Sequence, residues 1–277
     1  MKVVVTHYSP DFDALAACWL IKRYLTGWSK ADIKFVPAGE TLEEKLVDSQ
    51  ENIIHVDTGL GKFDHHQTNE KTSATKLVFE YLKEKNLINK KELFPLERMV
   101  EVITMIDHFN EVFLPEPTAD IYDFNLYQMI EGLKNIIQND FKTCEVVFPL
   151  FDAVFIGFKN KVRAEYEIKK GLVFQSKWGK SLAMENGVEE SIKLAQKKGY
   201  SLVIRKNSEN GMIRIKARPD TKYGLDDLYS KLKSIDPKAT WYLHPSKRIL
   251  LNGSMKNPKT KPSSLPLRRI IEIVRSF

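Results

Sequence analysis

The N-terminal part of the chain contains aspartate and histidine side chains in an order suited to binding divalent cations. They are His7, Asp11, Asp13, Asp57, Asp64, His65, His66 and Asp107. Carboxylate oxygens suit hard divalent cations and imidazole nitrogens suit transition metals, so a mixed site favours Mn²⁺ or a relative over Ca²⁺. The pattern predicts two metal ions that serve phosphate-ester hydrolysis.

Charge balance supports the same prediction. Four carboxylates, those of Asp11, Asp13, Asp57 and Asp107, would repel one another in one cleft, and two divalent cations cancel their charge. Asp107 also ends an apolar helical run, where the helix dipole disfavours a carboxylate. A nearby cation compensates that placement.

Position in the chain suggests individual roles. Asp57 closes an apolar run and can bridge two cations about 3.5–4 Å apart. His65 and His66 point opposite ways on an extended segment, so one is expected to bind metal and the other substrate. Asp11 has a second interpretation as a helix N-cap. The other histidines rank lower, with His55 expected in the core and His108 and His244 below the cluster.

The elements around these residues predict an α/β fold with a mostly parallel sheet flanked by helices. Residues 3–5, 33–36 and 53–56 have strand patterns, 12–25 has an amphipathic helical pattern, and 42–48 suggests a short helix. Helices are also expected over 72–86, 95–107 and much of 121–170. In such sheets the ligand site lies beyond the carboxyl ends of the strands, where His7 and Asp57 fall.

A smaller α+β domain is expected at the C-terminal end. Strand patterns at 200–205 and 212–218 flank a hairpin signal, and a helix over 225–235, strands at 240–243 and 248–251 and a final helix follow. The expected domains are 1–160 for metal binding and catalysis, 161–199 as a helical connector, and 200–277 for substrate binding.

Charge is divided unequally along the chain. Residues 1–158 hold 16 Lys and Arg against 25 Asp and Glu, whereas residues 159–277 hold 27 against 11. The division suggests that one half holds cations and the other meets a polyanion, although a solvated lysine-rich surface is the simpler alternative. No stretch is long enough to span a bilayer, and no signal peptide or disulfide framework is evident, so a cytoplasmic protein with no membrane partner is expected.

The ordered motifs resemble the DHH phosphoesterase superfamily, whose name matches the triplet Asp64, His65 and His66. Residues 63–67, FDHHQ, look especially like a branch of metal-dependent hydrolases with that signature, and the resemblance covers roughly residues 1–110. It implies one metal ion held by His7, Asp11 and Asp57, and a second held by Asp13, Asp57, His65 and Asp107. It further implies that His66 contacts the scissile phosphate, that Asp64 orients a histidine, and that a metal-activated water attacks phosphorus.

The C-terminal half departs from many members, because it has no glycine-rich GGGH string to grip substrate. The substrate-binding candidates lie on and beside a Gly-Ser turn between cations and are Lys247, Arg248, Asn252, Gly253, Ser254 and Lys256. Such a turn can bind phosphate through backbone amides, and an ordinary turn is an equal alternative. Arg268 and Arg269 are weaker candidates.

These observations lead to one main hypothesis and two alternatives. The main one is a phosphoesterase that uses two divalent ions, Mn²⁺ first with Mg²⁺ or Co²⁺ as alternatives, on a nucleotide, short oligonucleotide or single-stranded nucleic acid. The alternatives are a phosphoanhydride hydrolase resembling inorganic pyrophosphatases, and a non-catalytic metal- or nucleotide-binding regulatory module. A homodimer is left open.

Overall fold

In the computed structural model, which describes residues 1–253 and 257–277, a buried β-branched run forms strand β1 (Val3–His7). It lies between β2 (Asp32–Val36) and β3 (Ile53–His55), and all three strands are parallel. The carboxyl ends of parallel strands meet at one edge of the sheet. His7 therefore lies at the same edge as Asp57, which follows β3 by two residues.

The first helix after β1 is buried on nearly all sides. α1 (Phe12–Tyr24) begins at Asp11, whose carboxylate accepts the Ala14 N–H, and its residues from Asp13 to Ile21 are buried. Packed near it are α2 (Ala74–Glu84), capped by Ser73, and α3 (Lys90–Asp107), capped by Asn89. α3 begins five residues before the predicted start at 95, because the Asn89 cap stabilises an extra N-terminal turn ahead of Pro95.

The chain forms two compact units, Met1–Lys159 and Asn160–Phe277. The first unit also contains α4 (Leu126–Ile137) and short 3₁₀ helices at Leu42–Glu44, Asn110–Phe113 and Asp120–Phe124. α5 (Asp140–Lys170) crosses the boundary between the units. No helix among the described residues is long and apolar enough to cross a membrane.

The second unit contains a six-stranded mixed sheet in the order β4-β5-β6-β7-β9-β8. Its strands are β4 (Leu172–Ser176), β5 (Gly179–Glu185), β6 (Leu202–Lys206), β7 (Ile213–Ala217), β8 (Trp241–Leu243) and β9 (Ile249–Asn252). Among the described strands of this sheet, β5 and β6 are the one parallel pair of neighbours. Its helices are α6 (Glu190–Lys197), α7 (Asp226–Ile235) and α8 (Leu267–Arg275).

Residues 161–199 do not form the expected helical connector. They contain the end of α5, the hairpin of β4 and β5, and α6. The hairpin turns at Gly179, whose φ of 108° suits glycine. Leu182 and Ala183 on β5 pack into different apolar clusters on the two sheet faces, so this strand is stabilised by tertiary contacts.

Candidate metal centre

Asp57 lies at the centre of the clustered residues. Its side chain is almost fully buried, its Oδ2 is 3.4 Å from His7 Nε2, and its Oδ1 is 3.3 Å from His65 Nε2. Its backbone has a φ of 55°, in the left-handed region, and its N–H donates to the Phe63 carbonyl. This contact draws the segment that carries His65 back toward the end of β3.

Three buried ligand atoms converge without a hydrogen-bond partner among the described residues. They are Asp57 Oδ1, His65 Nε2 and Asp107 Oδ2. His65 Nε2 is 3.7 Å from Asp107 Oδ2, and Asp107 is the last residue of α3. Buried polar atoms normally have partners, so a set of unpartnered atoms with metal-ligand chemistry fits a cation.

Three overlapping groups of side chains place their ligand atoms within 4.8 Å of one another. They are His7, Asp11 and Asp57; Asp57, His65 and His66; and His65, Asp107 and His108. Asp57 and His65 each belong to two groups. The geometry therefore brings together most of the predicted ligands and adds His108, whose signal in the sequence is its position directly after Asp107.

His7 and Asp11 both have hydrogen bonds that are compatible with ligation. His7 Nδ1 lies 2.8 Å from the Tyr8 carbonyl, and donation there leaves Nε2 as the lone-pair nitrogen toward Asp57. Asp11 Oδ1 accepts the Ala14 N–H at 3.0 Å. Because a carboxylate has two oxygens, capping and metal binding by Asp11 are not exclusive.

Asp13, whose role as a ligand stays a prediction, has a further contact with α2. It is a buried residue of α1, and its two oxygens accept the N–H groups of Ala74 at 2.7 Å and Thr75 at 3.0 Å at the N-terminus of α2. Its Oδ2 is 4.0 Å from His65 Nε2, and Asp13 belongs to none of the three groups. The structure thus gives Asp13 a helix-capping contact that sequence reasoning missed.

Asp64 and His66 form a separate pair beside the cluster. Asp64 Oδ1 lies 2.7 Å from His66 Nδ1, and its Oδ2 accepts the Leu60 N–H at 2.8 Å. The His66 side chain is 60% exposed, whereas that of Asp64 is buried. Since Nδ1 is held by the carboxylate, Nε2 is the His66 nitrogen available to a ligand.

His55, His244 and His108 each have one hydrogen-bonded ring nitrogen. His55 is buried and its Nε2 accepts the Leu42 N–H at 3.0 Å, whereas its Nδ1 has no partner among the described residues. His244 lies in an exposed turn with Nδ1 2.9 Å from the Ser246 hydroxyl. His108 Nε2 is 2.7 Å from the Thr72 carbonyl, which leaves Nδ1 as its other ring nitrogen.

The concentration of charge shifts the pKa of several groups. Burial raises the pKa of Asp13 to about 8, with repulsion from Asp57 and Asp107 adding to it. Burial likewise raises the pKa of Asp107 to about 6, against the effect of His65. Burial acts to raise the pKa of Asp57 as well, but His65 and His7 outweigh it and hold the value at about 2. Contact with Asp57 raises the pKa of His7 and His65 to about 9.

Comparison with known families gives a match over the unit that contains this centre. Residues 4–158, more than half of the 277-residue chain, match the family described as ChrB, C-terminal domain. The chain belongs to the ChrB C-terminal domain family. This ChrB match includes every residue of the three ligand groups, and it ends before the six-stranded sheet begins. No curated protein matches the chain.

Two solved structures are similar at low level to this ChrB-family chain. A member of the s1p family of ribosomal proteins, described as a DHH domain, has 10% identity and a TM-score of 0.33, over 99% of this chain and 86% of its own. An exopolyphosphatase-related protein from Bacteroides fragilis has 11% identity and a TM-score of 0.24, over 98% and 89%. Membership of the FDHHQ branch stays a prediction.

The predicted substrate residues lie in the unit outside the ChrB match. Asn252 and Gly253 are buried: Asn252 Nδ2 donates to the Thr240 and Lys261 carbonyls, and its Oδ1 accepts the Ser263 N–H. These contacts occupy the Asn252 amide, so it presents no group to a ligand. Ser254 and Lys256 lie outside the described residues.

Lys247 and Arg248, the candidate cations among the described residues, have partners within their own unit. Lys247 Nζ is 3.0 Å from Asp226 Oδ1, and Arg248 donates to the Thr221 hydroxyl at 2.8 Å and to the Tyr223 carbonyl. The Lys247 side chain is 63% exposed. The ion pair with Asp226 offsets its charge, so this turn is not an uncompensated cationic site.

Proposed function

We propose that this protein is a divalent-metal-dependent phosphoesterase acting on a nucleotide, short oligonucleotide or single-stranded nucleic acid. The observation that carries the proposal is the convergence of Asp57 Oδ1, His65 Nε2 and Asp107 Oδ2, all buried and without hydrogen-bond partners among the described residues. Hydrolysis of phosphate esters is a common use of paired metal ions held by aspartate and histidine.

Two overlapping ligand sets fit two cations. His7, Asp11 and Asp57 would hold one ion, and Asp57, His65 and Asp107 would hold the other, with Asp13 Oδ2 nearby. The mixture of carboxylate and imidazole favours Mn²⁺, with Mg²⁺ and Co²⁺ as alternatives. When bound, the ions would neutralise phosphate charge and lower the pKa of a water molecule.

His66 is the residue that we assign to the substrate. Asp64 fixes its Nδ1, and its exposed Nε2 can donate a hydrogen bond to a phosphate oxygen or a proton to the leaving oxygen. Asp64 is a positioning residue, because both of its oxygens are engaged within residues 60–66. The buried carboxylates of the metal centre repel an anionic substrate unless cations compensate their charge.

The charge of the second unit supports a polyanionic substrate. Residues 160–277 contain 26 Lys and Arg against 11 Asp and Glu, a net of +15. Residues 1–159 contain 17 against 25, a net of −8. A strongly basic unit raises the local concentration of nucleotides and nucleic acid through long-range attraction.

The proposal is tested by measuring hydrolysis by chelator-stripped protein before and after Mn²⁺ is restored. The substrates are a dinucleotide, a cyclic dinucleotide, a short single strand and pyrophosphate. We expect Mn²⁺-dependent cleavage of at least one phosphodiester and its loss in Asp57→Asn. Asp120→Asn, an exposed position in the same unit, is the matched control.

Two outcomes would overturn the proposal. If only pyrophosphate is cleaved, the protein is a phosphoanhydride hydrolase. If nothing is cleaved although metal analysis finds Mn²⁺ bound, the centre is not catalytic toward these esters.

A further inference from the structure

One half of the six-stranded sheet has an open face. The opposite face packs against α7 and α8 through residues such as Ile204, Ile215 and Leu250. α6 covers the near face mainly at β5 and β6, through Leu182 and Val203, and reaches β7 where Gln196 Nε2 donates to the Lys216 carbonyl. Neighbouring residues of a strand point to opposite faces, so the alternate side chains of β7, β9 and β8 project from this open face.

A row of paired residues crosses this open face from an aromatic end to a cationic end. Tyr242 pairs with Leu251, Leu251 with Arg214, and Arg214 with Arg205. The Tyr242 side chain is 50% exposed. Because adjacent strands lie about 4.8 Å apart, Tyr242 and Arg214 are separated by about 10 Å. That spacing is comparable with the distance between a base and the phosphates of neighbouring nucleotides.

Arg205 has more hydrogen-bond donors than acceptors around it. Its side chain is only 4% exposed, and its Nη2 donates to Glu189 at 2.6 Å. Its Nε and Nη1 are buried without a partner among the described residues, as is Nδ2 of the buried Asn186. Unpartnered buried donors on a cation are costly, and an anion is the ligand that satisfies them.

Positive charge accumulates around this pair of arginines. Glu189 is shared, since it also forms an ion pair with Arg214. Lys216 projects from the same face two residues along β7, and its pKa is lowered by burial and then by Arg214, Lys193 and Arg205. Glu189, which contacts both arginines, and Glu190, which acts on Arg205, are outnumbered by these cations, and the half-exposed Glu189 can be displaced by phosphate.

We propose that the open face of this sheet binds single-stranded nucleic acid, with phosphates on Arg205, Arg214 and Lys216 and a base stacked on Tyr242. Aromatic rings that stack bases beside a cationic track are the usual means of binding single strands. An unpaired base can cover Tyr242 and Leu251, whereas a duplex keeps its bases stacked inside. The inference deepens the proposed function by giving its substrate a binding surface, and binding can be measured separately from hydrolysis.

The test uses the full-length protein in excess chelator and a fluorescein-labelled oligothymidylate of about 12 nucleotides. Fluorescence anisotropy gives the Kd at several salt concentrations. We expect Arg214→Ala to raise the Kd about tenfold and to reduce the slope of log Kd against log salt by about one. Tyr242→Ala should raise the Kd about tenfold, whereas Tyr242→Phe should keep binding because phenylalanine still stacks.

The matched control is Lys231→Ala. Lys231 is exposed on α7, whose buried residues pack against the other face of the sheet, and its loss removes the same charge as Arg214→Ala. We expect this variant to change the Kd by less than about twofold. Circular dichroism and thermal unfolding show whether each variant is folded, and Tyr242→Ala, at an exposed position, carries the test if Arg214→Ala does not fold.

Three results would overturn the inference: an equal loss of binding in Lys231→Ala, equally tight binding of a duplex of the same length, or displacement of the oligonucleotide by polyglutamate as readily as by unlabelled oligothymidylate. The last result would assign the face to an acidic peptide. Intact binding together with no hydrolysis in Mn²⁺ would contradict the proposed function alone.

Discussion

Asp64 and His66 are joined by two hydrogen bonds to a single oxygen. Asp64 Oδ1 lies 2.7 Å from His66 Nδ1 and accepts the His66 backbone N–H at 3.1 Å. The first contact fixes the tautomer of the ring and the second fixes the backbone that carries it. His66 Nε2 is thereby held in one direction before any substrate arrives.

This pair predicts that Asp64→Asn lowers kcat by about 10- to 100-fold, the range for residues that orient a group at a metal site. An amide oxygen accepts the Nδ1–H of His66 more weakly than a carboxylate does, so the ring is held less firmly. Both metal ions should remain bound, as measured by elemental analysis. Loss of metal in this variant would show that Asp64 supports the ligands and not His66.

Asp57 is predicted to be shared by two cations. Asp57→Asn should remove at least one ion per chain and lower kcat by more than about 100-fold, since metal ions supply several kcal/mol of transition-state stabilisation. His66→Ala should keep both ions and lower kcat by about 10²- to 10⁴-fold, the usual contribution of a proton donor. Retention of both ions in Asp57→Asn would refute the bridging role.

The metal-free protein should lose stability as the pH rises from about 6.5 to 9. Contact with Asp57 raises the pKa of His7 and His65 to about 9, above the value near 6.5 of an unfolded histidine. Their stabilising contribution is complete below about pH 6.5 and is lost as the pH rises through about 9. Asp13, whose pKa is raised to about 8 mainly by burial, acts in the same direction, because the folded state binds the extra proton.

Thermal unfolding in chelator at several pH values measures this effect. Added Mn²⁺ should stabilise the protein more at pH 8 than at pH 6, since ligation requires deprotonated histidines. In Asp57→Asn the decline should be shallower, because the partner that raises both histidine pKa values is gone. A chelated protein that gains stability over this range would contradict the assignment.

Asp13 is predicted to stabilise α2 whether or not it binds metal. Asp13→Ala should lower the free energy of unfolding by about 1–3 kcal/mol, because the N–H groups of Ala74 and Thr75 lose their buried acceptor. Urea unfolding in chelator measures the change. Ser73→Ala, which removes the Ser73 cap of the same helix, is the comparison and should cost about 1 kcal/mol. Loss of metal with an unchanged unfolding midpoint would assign Asp13 to ligation alone.

Several site positions could be predicted from the sequence because they depend on local rules. His7 and Asp57 follow β-branched runs, and parallel strands bring the residues after them to one edge. The capping contact of Asp13 could not be foreseen in this way. Its partners Ala74 and Thr75 lie 61 and 62 residues away, and only the packing of α1 on α2 brings them together.

The second unit shows where local patterns fail. β5 contains polar residues at its ends, and its burial depends on neighbours far along the chain, including β6. Asn252 lies where the sequence suggests a turn or a phosphate site, but its amide links β9 to Thr240 and to the segment of Lys261 and Ser263. The paired Arg205 and Arg214 give no motif, because their pairing exists only in the strand register.

The left-handed backbone of Asp57 affects which substitutions this position favours. A φ of 55° costs a side-chain-bearing residue about 1 kcal/mol, and glycine would adopt it freely. Asp57→Gly would therefore relieve the backbone and remove a buried carboxylate in one step. A library selected only for resistance to heat in chelator above about pH 9, where Asp57 no longer stabilises protonated His7 and His65, should be enriched in glycine at this position, whereas selection for turnover should keep aspartate.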